Sequence, residues 1–200
     1  MVNEVRLSAV RAPGEAEPWR SLGFMVDRDT VAFANGAVRL GAPRWSFELE
    51  PPGREASEVD GIPITTGAGE RNVVHPNGAV ELDHVVVMTD SIERTSAAIE
   101  AALGLEQRRL RETATVRQAF HRFADTTDGT RGCIVEVVER PDIERVDIWG
   151  LVVIVDDIDR AVAEAGGLIG APKAAVQPGR RIATVSRSAG MPLALALMSR

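Results

Sequence analysis

The chain is poor in cysteine, lacks a long apolar run and has no excess of positive charge. Its one cysteine, Cys133, excludes an intrachain disulfide and a cysteine-rich zinc site. No segment reaches the roughly 18 apolar residues that a bilayer-spanning helix needs, so we expect no membrane partner. The 23 lysines and arginines are outnumbered by 29 aspartates and glutamates, which gives a net charge of -6. Because nucleic-acid-binding proteins usually carry a basic balance or a basic face, we expect no nucleic-acid partner.

The rest of the composition is typical of a folded protein. Apolar residues make up 44% of the 200 residues, enough for one large domain or two small ones with a hydrophobic core. Cys133 lies in the apolar run GCIVEVV, which predicts a buried and unreactive thiol. Residues 1–19 carry acidic side chains early and have no apolar core of signal-peptide length. We therefore predict a cytoplasmic location.

An internal repeat is the most informative feature of the sequence. Residues 82–97 align with residues 148–163, and the remaining apolar positions are conservative matches. The histidine of the first copy has no counterpart, because His84 aligns with Gly150 in the second copy. The positions that are identical in the two copies are Val86 and Val152, Val87 and Val153, Asp90 and Asp156, Ile92 and Ile158, Arg94 and Arg160, and Ala97 and Ala163.

Each copy reads as a strand followed by a helix. LDHVVVM and IWGLVVIV are short and rich in β-branched residues, which favours strands. Asp90 and Asp156 follow them as predicted N-caps, each with an acidic residue three positions later. We expect the first helix to end near Gly104 and the second at Gly166-Gly167.

Three further strands are predicted after each helix, so that each unit is β-α-β-β-β. The two modules span residues 80–140 and 146–200. The predicted strands are Leu105–Arg111, Val116–Phe123 and Cys133–Val138 in the first module, and Ala174–Val176, Arg181–Ser186 and Leu193–Met198 in the second.

The sequence before residue 80 is interpreted as a degenerate unit of the same kind. Residues 1–64 contain several short strand-like segments, a short helix near Glu17–Leu22 and a hairpin signal at Asn35-Gly36. We predict that residues 65–79 form a linker. The linker contains TTGAGERN, which lacks the third glycine of a dinucleotide-binding fingerprint.

The two modules resemble the vicinal oxygen chelate superfamily, which includes glyoxalase-like, bleomycin-resistance and extradiol dioxygenase-like proteins. The resemblance rests on the tandem units, on LDHVVV at the start of the first unit and on IVEVV at its end. It implies an α+β fold in which paired βαβββ modules form an open cupped β-barrel, here with the additional degenerate N-terminal unit. It further implies a small ligand in the cup, often with a divalent metal held by His from a first strand and Glu from a fourth strand.

Carried over to this chain, the resemblance implies that His84 and Glu136 are catalytic residues and metal ligands. An imidazole and a carboxylate suit Zn, Fe, Mn or Ni. The second module departs from the pattern, because Gly150 replaces His and Leu195 or Ala196 stands where Glu would belong. The alternative is a cup with no cofactor, in which His84 and Glu136 are bonded to each other.

Five further residues are candidates for ligand binding. Arg180 and Arg181, with Gln177 beside them, are suited to a carboxylate or phosphate, since paired arginines bind such groups. The alternative is surface charge flanking a turn. Trp149 either lines the cup or packs beneath the helix, and His121 is either a third ligand or an ordinary strand histidine.

Two classes of function, an enzyme and a binding protein, remain open from the sequence. As an enzyme the chain would be a metal-dependent lyase, isomerase or dioxygenase of glyoxalase type, with the metal stabilising an enolate as a Lewis acid. As a non-catalytic protein it would sequester a small molecule, as drug-resistance proteins do, or act as a dimerising scaffold. A small-molecule ligand is expected in both main cases, and a homodimer is a further expectation.

Overall fold

The computed structural model describes residues 5–50, 56–69 and 73–200. Two open sheets and a few helices make up the fold, so the α+β class is confirmed. The strands are β1 (Arg6–Arg11), β2 (Thr30–Phe33), β3 (Gly36–Arg39), β4 (Ser46–Glu50), β5 (Glu58–Val59), β6 (Ile62–Thr66), β7 (Ala79–Thr89), β8 (Arg109–Glu112), β9 (Arg117–Arg122), β10 (Ile134–Glu139), β11 (Asp147–Val155), β12 (Lys173–Ala174), β13 (Arg181–Thr184) and β14 (Ala194–Ser199). The helices are α1 (Glu17–Ser21), α2 (Ile92–Leu103) and α3 (Ile158–Glu164), and a short 3₁₀ helix covers Arg187–Ala189.

The tandem modules form one eight-stranded sheet in the order β12-β13-β14-β11-β7-β10-β9-β8. Within each module the first strand pairs in parallel with the fourth, so β7 lies beside β10 and β11 beside β14. The two first strands, β7 and β11, pair antiparallel at the centre of the sheet. The repeat in the sequence therefore appears as an approximate two-fold arrangement about this central pair.

The helices α2 and α3 follow the first strand of each module, and each begins directly after a capping side chain. Ser91 Oγ accepts from the amide of Arg94 at 3.3 Å, and Asp157 Oδ1 accepts from the amide of Arg160 at 3.0 Å. Both caps lie one residue later than predicted. The first helix ends at Gly104, whose φ of 70° is the left-handed conformation that glycine adopts without strain.

The N-terminal region folds as a six-stranded sheet in the order β2-β3-β1-β4-β6-β5. Its first elements follow the order β-α-β-β-β. Its pairing repeats that of the larger sheet with fewer strands. β1 is parallel to β3 and antiparallel to β4, and β4 is parallel to β6. The predicted linker partly belongs to this sheet, because β6 extends to Thr66, whereas residues 70–72 lie outside the described residues.

The β2–β3 hairpin joins the two sheets. The pairing of β7 with β10 begins only at His84, so the earlier residues of β7 have no strand on that side. The turn of the β2–β3 hairpin lies against this part of β7. Ala34 donates its amide to Val80 O at 2.9 Å. The side chain of Asn35 donates to Leu82 O and accepts from Leu82 N, both at 2.9 Å, and so bonds to β7 as a strand residue would.

A single main core fills the space that the two sheets and the helices share. It contains residues of both sheets, such as Leu7, Phe33 and Val135, together with Ile99 of α2 and Ile158 of α3. Cys133 is fully buried as predicted, and burial raises the pKa of its thiol. None of the helices in the described part of the chain has the length and apolar character to span a bilayer.

The opposite face of the eight-stranded sheet, which we call the cup face, has a small apolar cluster of its own. Residues alternate between the two faces, so that Val153 and Leu197 join the main core while their neighbours do not. The cup-face cluster consists of Val152, Ile154, Ala196 and Met198, with the partly buried Val80, Ala175 and Ile182 packed against it.

Candidate functional site

A β-bulge in β7 brings two consecutive polar residues to the cup face. His84 pairs with Val152 of β11, but the next pair is Leu82 with Val153, so Asp83 is an extra residue in the ladder. Leu82 therefore enters the main core. Strict alternation along the strand would instead have put Leu82 on the same face as His84. Asp83 and His84 lie side by side, with Asp83 Oδ2 at 2.8 Å from His84 Nδ1.

His84 and Glu136 meet on the cup face. β10 is parallel to β7, and His84 pairs with Ile134 of β10. Glu136 lies two residues further along β10, on the same face as Ile134. His84 Nε2 is 3.1 Å from Glu136 Oε2, and the two side chains are only 12% and 11% exposed. The structure thus places together the two residues that the sequence singled out.

These side chains belong to a longer row, which we call the polar chain and which runs across the cup face from the β12–β13 turn to β8. Arg180 Nη1 is 2.9 Å from Asp83 Oδ1, which continues the row on one side. On the other side, Gln118 donates to Glu136 and Arg111 donates to Gln118 Oε1, the second bond at 2.8 Å. The members of the polar chain are, in order, Arg180, Asp83, His84, Glu136, Gln118 and Arg111.

The charges in the polar chain support one another. Burial raises the pKa of Asp83, but hydrogen bonds and charge interactions with His84 and Arg180 lower it more, so the pKa lies below its usual value. Asp83 is therefore ionised at neutral pH. Each ring nitrogen of His84 faces a carboxylate oxygen, and an imidazolium ring can donate to both.

A cleft of about 330 Å³ opens at one end of the cup face, next to the docked β2–β3 hairpin. It shares Asp83 and Arg180 with the polar chain, whereas His84 and Glu136 are outside its lining. The cleft is lined by Asn35, Glu81, Leu82, Asp83, Arg131, Gly132, Ile134, Ile154, Arg180 and Arg200.

Comparison with known proteins identifies the fold. No family model matches the chain, and no curated protein matches it. Among solved structures, the S115T variant of Streptomyces coelicolor methylmalonyl-CoA epimerase, in complex with 2-nitronate-propionyl-CoA, aligns with a TM-score of 0.50 and 17% identity. The alignment covers 60% of this chain and 94% of the epimerase, which is a member of the vicinal oxygen chelate superfamily. The chain has the vicinal oxygen chelate fold.

A second epimerase has a similar relation to the chain. The Mycobacterium tuberculosis methylmalonyl-CoA epimerase is 14% identical, with a TM-score of 0.49 over 61% of this chain and 89% of that one. The alignment with the Streptomyces coelicolor epimerase confirms, at the level of the fold, the resemblance inferred from the repeat.

The side chains on the cup face do not supply enough ligands for a tightly bound metal. The resemblance to the vicinal oxygen chelate superfamily had implied such a metal. His84 and Glu136 are two protein ligands, whereas catalytic zinc sites usually have three and structural sites four. Within the described residues no group of three or more His, Cys, Asp or Glu could hold a metal ion. A side chain at Gly150 is excluded, because its Cβ would lie 2.7 Å from the carbonyl oxygen of Ala194.

Of the residues predicted to bind a ligand, His121, Arg181 and Gln177 lie apart from this pair. His121 faces the main core on the far side of the sheet, where Nδ1 lies 2.8 Å from Leu105 O and Nε2 3.1 Å from Ser96 Oγ. Arg181 is exposed and pairs with Asp159 of α3 at 2.6 Å, and Gln177 is exposed in the β12–β13 turn. Arg180 is the one member of that basic segment in the polar chain.

Trp149 lies at a bulge in β11. Val87 pairs with Ile148 and Val86 with Gly150, so Trp149 is the extra residue there. Trp149 is 53% exposed, so its indole is not buried beneath a helix.

Asp83 and Gln118 are site residues that the sequence analysis missed. The signal for Asp83 was its position directly before His84, since an acid beside a histidine can hold one ring nitrogen. Gln118 had a weaker signal, two positions before the aromatic Phe120 in a strand whose facing was ambiguous.

Proposed function

We propose that the protein binds a small organic molecule on the cup face, against the pair formed by His84 and Glu136. The polar chain is the observation that carries this proposal. Ligand sites are typically concave surfaces lined by apolar side chains with a few fixed polar groups, and the cup face combines both. Val152 and Ile154 supply apolar surface beside His84.

Hydrogen bonds on both sides hold the pair in place. Asp83 and Arg180 fix the Nδ1 side of His84, and Gln118 fixes the carboxylate of Glu136. A site whose side chains are already ordered loses less conformational entropy when a ligand binds. The His84–Glu136 pair on the cup face is therefore preorganised for binding.

Binding can be tested by NMR with defined probes. The backbone amide spectrum would be recorded with small carboxylates, their amides and propionyl-CoA, the last because the aligned epimerase was solved with a propionyl-CoA derivative. We expect shifts at β7, β10 and β11 and at least a tenfold loss of affinity in His84→Ala, equivalent to about 1.4 kcal/mol. Arg109→Gln, an exposed change on the edge strand β8, is the control and should bind normally.

Shifts confined to the helix side of the sheet, or unchanged affinity in His84→Ala, would reject the cup face as the binding site. Far-UV circular dichroism of each variant separates a lost contact from a lost fold. Asp83→Asn adds a graded change, since it keeps the shape of the side chain but removes the charge beside His84. We expect an affinity between those of wild type and His84→Ala.

Acid–base catalysis of the isomerase type is the second candidate function. The observation that favours it is the order carboxylate, imidazole, carboxylate in Asp83, His84 and Glu136, in which one acid orients the ring and the other faces Nε2. Proton exchange at the α-carbon of propionyl-CoA in D₂O is the direct measurement. Exchange that His84→Ala slows by a factor of about 10² to 10⁴ supports catalysis, whereas binding without exchange supports a protein that only sequesters its ligand.

A further inference from the structure

The cleft at the end of the cup face contains two charged side chains without partners in the described part of the chain. Arg180 is paired with Asp83 at 2.9 Å, and Arg200 with Asp156 at 3.1 Å. Glu81 and Arg131 line the same cleft and carry opposite charges. Among the described residues no ion pair within 4.0 Å joins either of them to the other or to a third group.

Both unpaired charges stand on an ordered backbone. Glu81 lies opposite Ile154 in the β7–β11 ladder, and directly opposed residues project from the same face of a sheet. Ile154 belongs to the cup-face cluster, so Glu81 projects toward the cup face as well. The backbone of Arg131 is anchored by its carbonyl oxygen, which accepts from Asn35 Nδ2 at 2.9 Å.

The apolar part of the cleft lining favours a ligand with an aliphatic group. Ile134 and Ile154 lie in the cleft, and Ile154 continues into Val152, which is paired with His84. A ligand that reached from the cleft toward the polar chain would pass over this branched aliphatic surface. The space of about 330 Å³ is at the small end of the range of ligand pockets, roughly 300–1,000 Å³.

We infer that the cleft binds a small zwitterion with an aliphatic side chain, such as an α-amino acid, its carboxylate on Arg131 and its ammonium on Glu81. A purely anionic ligand fits less well, because two of the three arginines already have acidic partners and Glu81 would repel it. This inference rests on the proposed function, since it names the ligand class for the cup face. It assigns roles to Glu81 and Arg131 that the polar chain does not require.

Three probes of nearly equal shape test the charge requirement. L-leucine carries both charges, L-leucinamide lacks the carboxylate and 4-methylpentanoate lacks the ammonium group. Isothermal titration calorimetry or NMR titration at neutral pH would give each dissociation constant. We expect leucine to bind about tenfold more tightly than either analogue, because each analogue lacks one of the two charged groups that the cleft would bind.

Two substitutions assign each charge to its partner. Arg131→Gln should weaken leucine and 4-methylpentanoate by about tenfold and leave leucinamide unchanged. Glu81→Gln should weaken leucine and leucinamide by about tenfold and should not weaken 4-methylpentanoate, because Glu81 repels that anion. The matched controls are Arg109→Gln and Glu144→Gln, which alter exposed residues outside the cleft and should change none of the three constants.

The outcomes separate this inference from the proposed function. Equal binding of all three probes, or no binding of leucine at millimolar concentration, overturns the inference. A cup-face ligand from the NMR screen that ignores both cleft substitutions overturns it too, and leaves the proposed function in place. Charge-dependent leucine binding that His84→Ala does not affect supports the cleft and removes the role of the His84–Glu136 pair.

Discussion

Two buried histidines differ from His84 in what holds them. His75 Nδ1 accepts from the amide of Met25 at 3.0 Å, and its Nε2 lies 2.8 Å from Ala32 O. His75 is 3% exposed, and its ring packs against two phenylalanines, Phe24 and Phe33. His121 is bonded in the same manner on both sides of its ring. In each case the neutral imidazole satisfies both partners.

We predict that these two residues make stability depend on mildly acidic pH. Burial lowers the pKa of His75 and of His121, against smaller opposing effects of their carbonyl partners. Below pH 6.5 the unfolded chain therefore binds protons that the folded chain does not, and the free energy of unfolding falls as pH falls toward the lowered pKa values. Each histidine contributes a slope of at most about 1.4 kcal/mol per pH unit.

Urea unfolding of His84→Gln between pH 7.0 and 5.5 isolates this effect. Only His75 and His121 remain as histidines in that variant, because the chain has three. Carboxylates with lowered pKa values, such as Asp83, act below this window. A free energy of unfolding that stays constant across the range would contradict the prediction.

At the scale of elements, the docking of the β2–β3 hairpin on β7 depends on one side chain. Asn35 makes three hydrogen bonds, two buried ones to Leu82 and a partly buried one to the carbonyl of Arg131. We predict that Asn35→Ala lowers the free energy of unfolding by about 2–4 kcal/mol, because it leaves backbone groups of β7 unpaired in the interior. Chemical denaturation measures the change.

Asn35→Asp is a sharper version of the same test. It preserves shape, but a carboxylate oxygen would face two carbonyl oxygens where the amide now donates. We expect a loss at least as large as that of Asn35→Ala, whereas the exposed change Gln107→Ala should stay within about 0.5 kcal/mol of wild type. An Asn35→Asp variant as stable as wild type would show that the hairpin is held by packing alone.

The elements also show which features a local sequence pattern can predict. Repeated β-branched runs and caps specified both modules, since strand and helix periodicity are local properties. The bulge at Asp83 was hidden, because one extra residue changes the facing of Leu82 without changing any local preference. The burial of His121 was equally hidden, since aromatic residues stand on both sides of it and either facing fits the pattern.

On the scale of the whole molecule, one core unites the two sheets. Phe47 of β4 and Phe123, next to β9, meet edge to face with ring centroids 6.0 Å apart. Asp60 of the small sheet accepts from Arg94 of α2 at 3.1 Å. Neither contact could be read from local patterns, because each joins segments far apart in sequence. The shared core implies that the small sheet is an integral part of the fold.

We predict that the two sheets unfold in one cooperative transition. The tryptophans allow each sheet to be followed separately, because Trp19 and Trp45 are buried in the N-terminal region and Trp149 lies on β11. In Trp149→Phe the fluorescence reports the small sheet, and in Trp19→Phe with Trp45→Phe it reports the large one. If the sheets share one core, far-UV circular dichroism and fluorescence should give the same urea midpoint within each variant, as two-state unfolding requires.

A fluorescence midpoint for the small sheet well below the circular dichroism midpoint would instead mean that the large sheet persists alone. The cleft would then lose the hairpin at Asn35 that forms part of its wall.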